Sequence, residues 1–121
     1  MSVQIQVRGQ TICAKLVGDI DHHSAKELRC EIDAAVSENG AKELILDFAS
    51  VTFMDSSGIG LVMGRYKTIS EQGGRLIIAK MPDYIRKVMR LAGVNRLAKI
   101  VDDYELAPEQ AQEVMKVETT N

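Results

Sequence analysis

Leu44-Ile45-Leu46-Asp47-Phe48, then Phe53-Met54-Asp55-Ser56-Ser57-Gly58-Ile59-Gly60, then Leu61 to Ile69 is the stretch that decides the fold. The first run is apolar and short, as a buried strand is. The last is amphipathic at helical spacing, with Leu61, Val62, Tyr66 and Ile69 on one face. Between them the chain turns from strand to helix, and Asp and Ser are there to accept the unpaired N–H groups of a first helical turn. A helix starting near Ser57 and ending near Gln72, before Gly73-Gly74, is expected. A hydroxyl at that start is exposed and faces the positive end of the helix dipole, which tolerates a phosphate. Three readings are open for it: a cap, a nucleophile, or a carrier of a phosphoryl group.

Outward from this stretch, strands and helices alternate. Val3 to Arg8 and Thr11 to Val17 are strands joined at Gly9-Gln10, hence an antiparallel hairpin. Gly18-Asp19-Ile20-Asp21 is expected as a loop, and Ser24-Ala25-Lys26-Glu27 fits a capping box with Ser24 as N-cap. Ala25, Leu28, Ile32, Ala35 and Val36 follow at helical spacing until Asn39-Gly40. Arg75 to Ala79 is a strand. Pro82 opens a third helix whose apolar face is Ile85, Val88, Met89 and Ala92, ended by Gly93. Leu97 to Val101 is a last strand, and Asp102-Asp103 is expected to cap a fourth helix reaching about Lys116, interrupted at Pro108. The expectation is one α/β domain over 3–116, a mixed β-sheet with an N-terminal hairpin and about four helices, and a flexible tail at 117–121.

The chain has 121 residues, a length that suits one domain with a core of its own. Formal net charge is −2 with both signs interspersed, which argues against binding nucleic acid through a basic face. No apolar run approaches the ~20 residues of a membrane span, and the alternating N-terminus is a strand pattern, not a signal peptide. Cys13 and Cys30 match no zinc or redox spacing; buried or half-buried reduced thiols are expected, in keeping with a cytoplasmic protein.

Four chemistries compete for the polar residues. Gly58, Gly60 and Gly64 resemble a dinucleotide fingerprint, but that pattern needs its first glycine directly after the strand, and about ten residues separate Phe48 from Gly58. Ser56, His22 and Asp21 are the residue types of a hydrolase triad, yet Asp21 and His22 are neighbours and no G-x-S-x-G elbow is present. His22-His23 as a metal pair fails because adjacent helical side chains do not face one another. Asp47 as a phosphoaspartate lacks carboxylates on the first strands to hold a magnesium ion. A regulatory hydroxyl remains: phosphoserine adds about −1.5 to −2 charges, which a helix N-terminus accepts and a docked acidic surface does not.

Gly18-Asp19-Ile20-Asp21-His22-His23-Ser24-Ala25 and Val51-Thr52-Phe53-Met54-Asp55-Ser56-Ser57-Gly58-Ile59-Gly60 together resemble the anti-sigma factor antagonist family, whose fold is the STAS domain. The likeness runs from about Val3 to Ala107 and looks most like the sporulation branch, the stage II sporulation protein AA type. It implies a switch and no enzyme activity or cofactor. The unphosphorylated form binds an anti-sigma factor serine kinase and frees a sigma factor; phosphorylation by that kinase ends the binding, and a serine phosphatase resets it. The acceptor maps to Ser56. The partner surface maps to Asp21, His22, Asp55, Ser57, Gly58, Ile59 and Gly60. The rival implication is a non-switching STAS scaffold or sensor module in a larger complex.

Overall fold

β-Strands hydrogen-bonded in their sequence order set the architecture of the computed structural model, which describes residues 2–108. β1 (Ser2–Arg8) and β2 (Thr11–Ile20) form the expected hairpin, turning through Gly9 at φ 60°. β3 (Glu43–Met54), β4 (Arg75–Ala79) and β5 (Lys99–Val101) add to β2 in parallel. Between them lie α1 (His22–Asn39), α2 (Ser56–Glu71), α3 (Asp83–Leu91) and a 3-10 turn at Val94–Arg96.

The parallel strands advance in one direction without reversal. Right-handed crossovers then drop α1, α2 and α3 on the same face. Accordingly Leu28 and Ile32 of α1, Leu61 and Ile69 of α2, and Ile85 and Met89 of α3 share one core with Ile12, Leu44, Leu46, Leu76 and Ile78. The lack of reversal also removes the switch-point crevice in which such sheets hold dinucleotides.

Period-2 alternation sends Cys13, Ile45, Ile77 and Ala79 to the opposite face. Among the described residues no helix covers them; the chain after β5 does, with Tyr104 and Leu106 packed on them. Cys13 Sγ donates to Tyr104 Oη (3.2 Å), and Tyr104 Oη donates to Asp47 Oδ2 (2.6 Å). Burial, then the bond to Asp47, pushes the Tyr104 phenol well above its ordinary pKa, so it stays a donor at any physiological pH. Burial likewise raises the Cys13 thiol. Asp47 is thereby a buried structural acceptor that also takes the Ala49 N–H at 2.9 Å.

Several expected boundaries move. Gly18 to Ile20 is strand, not loop, and pairs with Val51 to Met54 past two register shifts. β3 is correspondingly longer than Leu44–Phe48. Residues 103–108 form no helix, and the rest of the expected fourth helix and the 117–121 tail lie outside the described residues. Val88 is exposed rather than on the core face of α3, and Cys30 is exposed while Cys13 is buried.

Candidate functional site

The long β2–β3 pairing carries both chains to the same end of the sheet, where α1 and α2 start side by side. Ile20 pairs with Met54, and the Asp55 N–H donates to the Ile20 carbonyl at 3.1 Å. Each strand then hands over to a helix through an aspartate. Asp55, extended at φ −95°, caps α2 by accepting the Ser57 N–H on Oδ1 at 2.8 Å. Asp21 caps α1 by accepting the Ser24 N–H on Oδ1, while the Ser24 hydroxyl accepts the Asp21 N–H, both at 2.9 Å. The capping box is therefore Asp21–Ser24, not Ser24–Glu27, and α1 begins three residues earlier than the sequence motif suggests.

Asp55 as cap settles what Ser56 is not. Ser56 is the first helical residue, exposed, and its hydroxyl has no hydrogen-bond partner among the described residues. Ser57, one residue on, is half-buried. Asp21, His22 and Gly60 are exposed, Asp55 and Ile59 half-buried. Gly58 is buried beneath Met54, and its N–H donates to the Asp55 carbonyl at 3.0 Å.

A groove of about 370 Å³ runs from this end between α1 and α2, lined by His22, Lys26, Arg29, Ser57, Gly60 and Gly64 among others. The two helices are held beside it by Arg65, buried on α2, whose Nε lies 2.8 Å from Asp33 Oδ1 on α1. Of the residues expected on the partner surface, His22, Ser57 and Gly60 line this groove and Asp21 and Asp55 cap the two helices at its end, whereas Gly58 is buried beneath Met54 and offers no exposed surface. The structure adds Lys26 and Arg29, one helical face with His22 at i, i+4 and i+7, and Phe53, 51% exposed on the last stretch of β3. The helical spacing was a readable signal for the first two. Phe53 carried none, because its exposure depends on the register shift opposite Asp19.

Asp21 has a structural duty the sequence does not reveal. The Ser24 N–H, foremost, holds its carboxylate below the ordinary pKa. A depressed folded-state pKa means the unfolded chain binds the proton more readily, so this contribution to stability is complete above the ordinary carboxylate range and is lost as pH falls through the depressed value. Asp21→Ala should lower the melting temperature at neutral pH and flatten its acid-side decline, whereas Asp21→Asn, an equally good cap, should keep the neutral-pH melting temperature while flattening the decline in the same way. Thermal melts across the acid range check both.

Among the described residues no group of three or more His, Cys, Asp or Glu is placed to hold a metal ion, and no helix is long and apolar enough to cross a membrane. His22 and His23 are both exposed, and His23 sits 3.7 Å from Glu27.

Residues 2–107 match the STAS domain family model, and the chain belongs to that family. Its relatives give the branch. It is 30% identical over 106 residues to the anti-sigma F factor antagonist of Paenibacillus polymyxa, covering 85% of this chain and 90% of that one. Its fold matches the anti-sigma factor antagonist SpoIIAA in the unphosphorylated form with a TM-score of 0.69 at 27% identity, over 97% and 98% of the two chains. The Bacillus SpoIIAA structure in the phosphorylated form matches with a TM-score of 0.67 at 29% identity, over 96% and 99%.

Proposed function

We propose that this chain is a cytoplasmic anti-sigma factor antagonist that works by binding and not by catalysis, with Ser56 as its switch. Unphosphorylated, it docks the groove end of α1 and α2 on an anti-sigma factor serine kinase and frees the sigma factor. The kinase phosphorylates Ser56, docking ends, and a serine phosphatase restores the hydroxyl. Nucleic acid and membrane take no direct part. The observation that carries this reading is the Ser56 hydroxyl: exposed, free of the capping duty that Asp55 performs, and on the first residue of α2.

The same placement explains how a phosphate can act on a partner without unfolding its own domain. At the helix N-terminus the dipole favours an anion. No hydrogen bond among the described residues is broken by modifying Ser56. The near-equal likeness of this chain to the two solved SpoIIAA forms supports a fold common to both states. Asp21, His22, Ser57, Ile59 and Gly60 form the contact surface around the switch; Asp55 serves it chiefly by holding Ser56 in place. The test is a release assay. Unphosphorylated chain added to the kinase–sigma complex should liberate sigma factor, and the chain phosphorylated on Ser56 should not. Release by both forms, or by neither, points to the scaffold reading instead.

A further inference from the structure

Away from the switch, α3 carries an apolar stripe that the core does not use. Ile85 and Met89 fill the core side of the helix. Tyr84, Val88 and Leu91, at i, i+4 and i+7, stand on a neighbouring face and are 49%, 39% and 81% exposed. These three span about two helical turns. Small soluble domains seldom leave such a row of large apolar groups in water without a use.

The charge around the stripe is one-sided. Six basic residues and one acidic residue, Asp83, stand between Lys80 and Lys99, in a chain whose formal net charge is −2. Arg86 is engaged with Asp102 at 2.6 Å and Lys80 with Asp103 at 3.5 Å. Lys87, Arg90, Arg96 and Lys99 are exposed and have no ion pair among the described residues. Lys87 and Arg90 lie on α3 itself, bordering the stripe.

We propose that the exposed face of α3 is a second docking surface, which takes an acidic amphipathic helix of a partner protein. Apolar anchors at helical spacing would meet Tyr84, Val88 and Leu91, and flanking carboxylates would meet Lys87 and Arg90. A second copy of this chain fits poorly, since two such faces would set one sign of charge against itself. The chain's own segment as far as Pro108 is turned elsewhere. The segment after β5 heads away across the other face of the sheet, where Tyr104 reaches Asp47 on β3 and Cys13 on β2. A stripe of two turns is short for an interfacial membrane anchor, many of which run 20–30 residues. The surface is on the β4–β5 side, apart from the α1–α2 groove, so both can be occupied together.

The test uses the full isotope-labelled chain and a designed peptide with Leu at i, i+4 and i+7 and Glu between. Amide shifts should move at Tyr84, Lys87, Val88, Arg90 and Leu91, with the Ser56 region still. The double substitution Val88→Glu, Arg90→Glu changes only exposed residues, so the melting temperature should hold while peptide affinity drops at least tenfold. A chain ending at Pro108 should bind the peptide as the full chain does; tighter binding would show that the C-terminal residues are the occupant and overturn the proposal. So would equal binding of a scrambled peptide of the same composition, which would reduce the effect to bulk charge. Binding to phosphatidylglycerol vesicles with none to the peptide would make the face lipid-directed and overturn it too. Finally, Leu91→Glu should leave affinity for the anti-sigma kinase unchanged; a loss would merge this face with the switch surface.

Discussion

Phosphorylated chain should bind the anti-sigma kinase about 100-fold more weakly than unphosphorylated chain, and Ser56→Asp should fall between them. Charge conflict and desolvation at an interface cost several kcal/mol. Taking ~3 kcal/mol for a phosphoserine gives roughly two factors of ten, at about 1.4 kcal/mol each. A carboxylate brings a single charge where phosphate brings about −1.5 to −2, and it lacks the tetrahedral bulk. A penalty of ~1–2 kcal/mol, or about tenfold, follows on the same reasoning. Ser56→Ala should bind like wild type, because the Ser56 hydroxyl holds no bond that the fold needs. Titration calorimetry with purified kinase gives the order directly. A Ser56→Asp variant weaker than the phosphoprotein would mean that helix damage, not surface charge, is being measured.

The second large effect separates two glycines that look equivalent in the sequence. A Cβ at Gly58 would collide with Cγ and Sδ of Met54, a side chain packed against the core. Forcing it aside costs about 1–3 kcal/mol. The ~1 kcal/mol that alanine returns over glycine inside a helix offsets this only in part. Gly58→Ala should therefore be net destabilising, and Met54→Ala in the same chain should recover part of the loss as a measurable coupling. A Cβ at Gly60 meets nothing within 4 Å. Gly60→Ala should stabilise by about 0.5–1 kcal/mol. Gly60→Leu should fold well yet obstruct kinase docking, since its side chain points to the groove and not the core. Denaturant melts rank these variants, and equal destabilisation by alanine at both glycines would contradict the packing described for Met54.

Much of this architecture was open to reading because local signals and global pattern agree. The Gly9-Gln10 turn, the left-handed Gly40 after α1 and the strand–Asp–helix passage at Asp55 each combine a turn residue with a change of hydrophobic period. The errors cluster where a second element decides. Ser24–Glu27 satisfies a capping-box pattern as well as Asp21–Ser24 does. Only the run of β2 up to Ile20, fixed by pairing with β3, selects Asp21. Ala49 and Ser50 are small and poor strand formers in isolation, yet they lie inside a 12-residue strand. The segment past β5 looked helical from its Asp-Asp start. The apolar face of Cys13, Ile45 and Ile77 instead needs a cover, and Tyr104 supplies it while satisfying the buried Asp47. Val88 has a core-like position in the sequence, but α3 is only nine residues long and turns Ile85 and Met89 inward. For the site, the residues were legible and the division of labour was not. Which of Asp55, Ser56 and Ser57 caps the helix depends on a backbone turn of one residue.

The central claim is that Ser56 alone is the chemical switch. The most direct measurement is to incubate the chain with its anti-sigma kinase and ATP and to locate the phosphate by peptide mapping, in wild type and in Ser56→Ala. One phosphate is expected, on Ser56, and none in the variant, whose amide spectrum stays that of a folded domain. Phosphate on Ser57 or Ser24, or continued incorporation into Ser56→Ala, would contradict it.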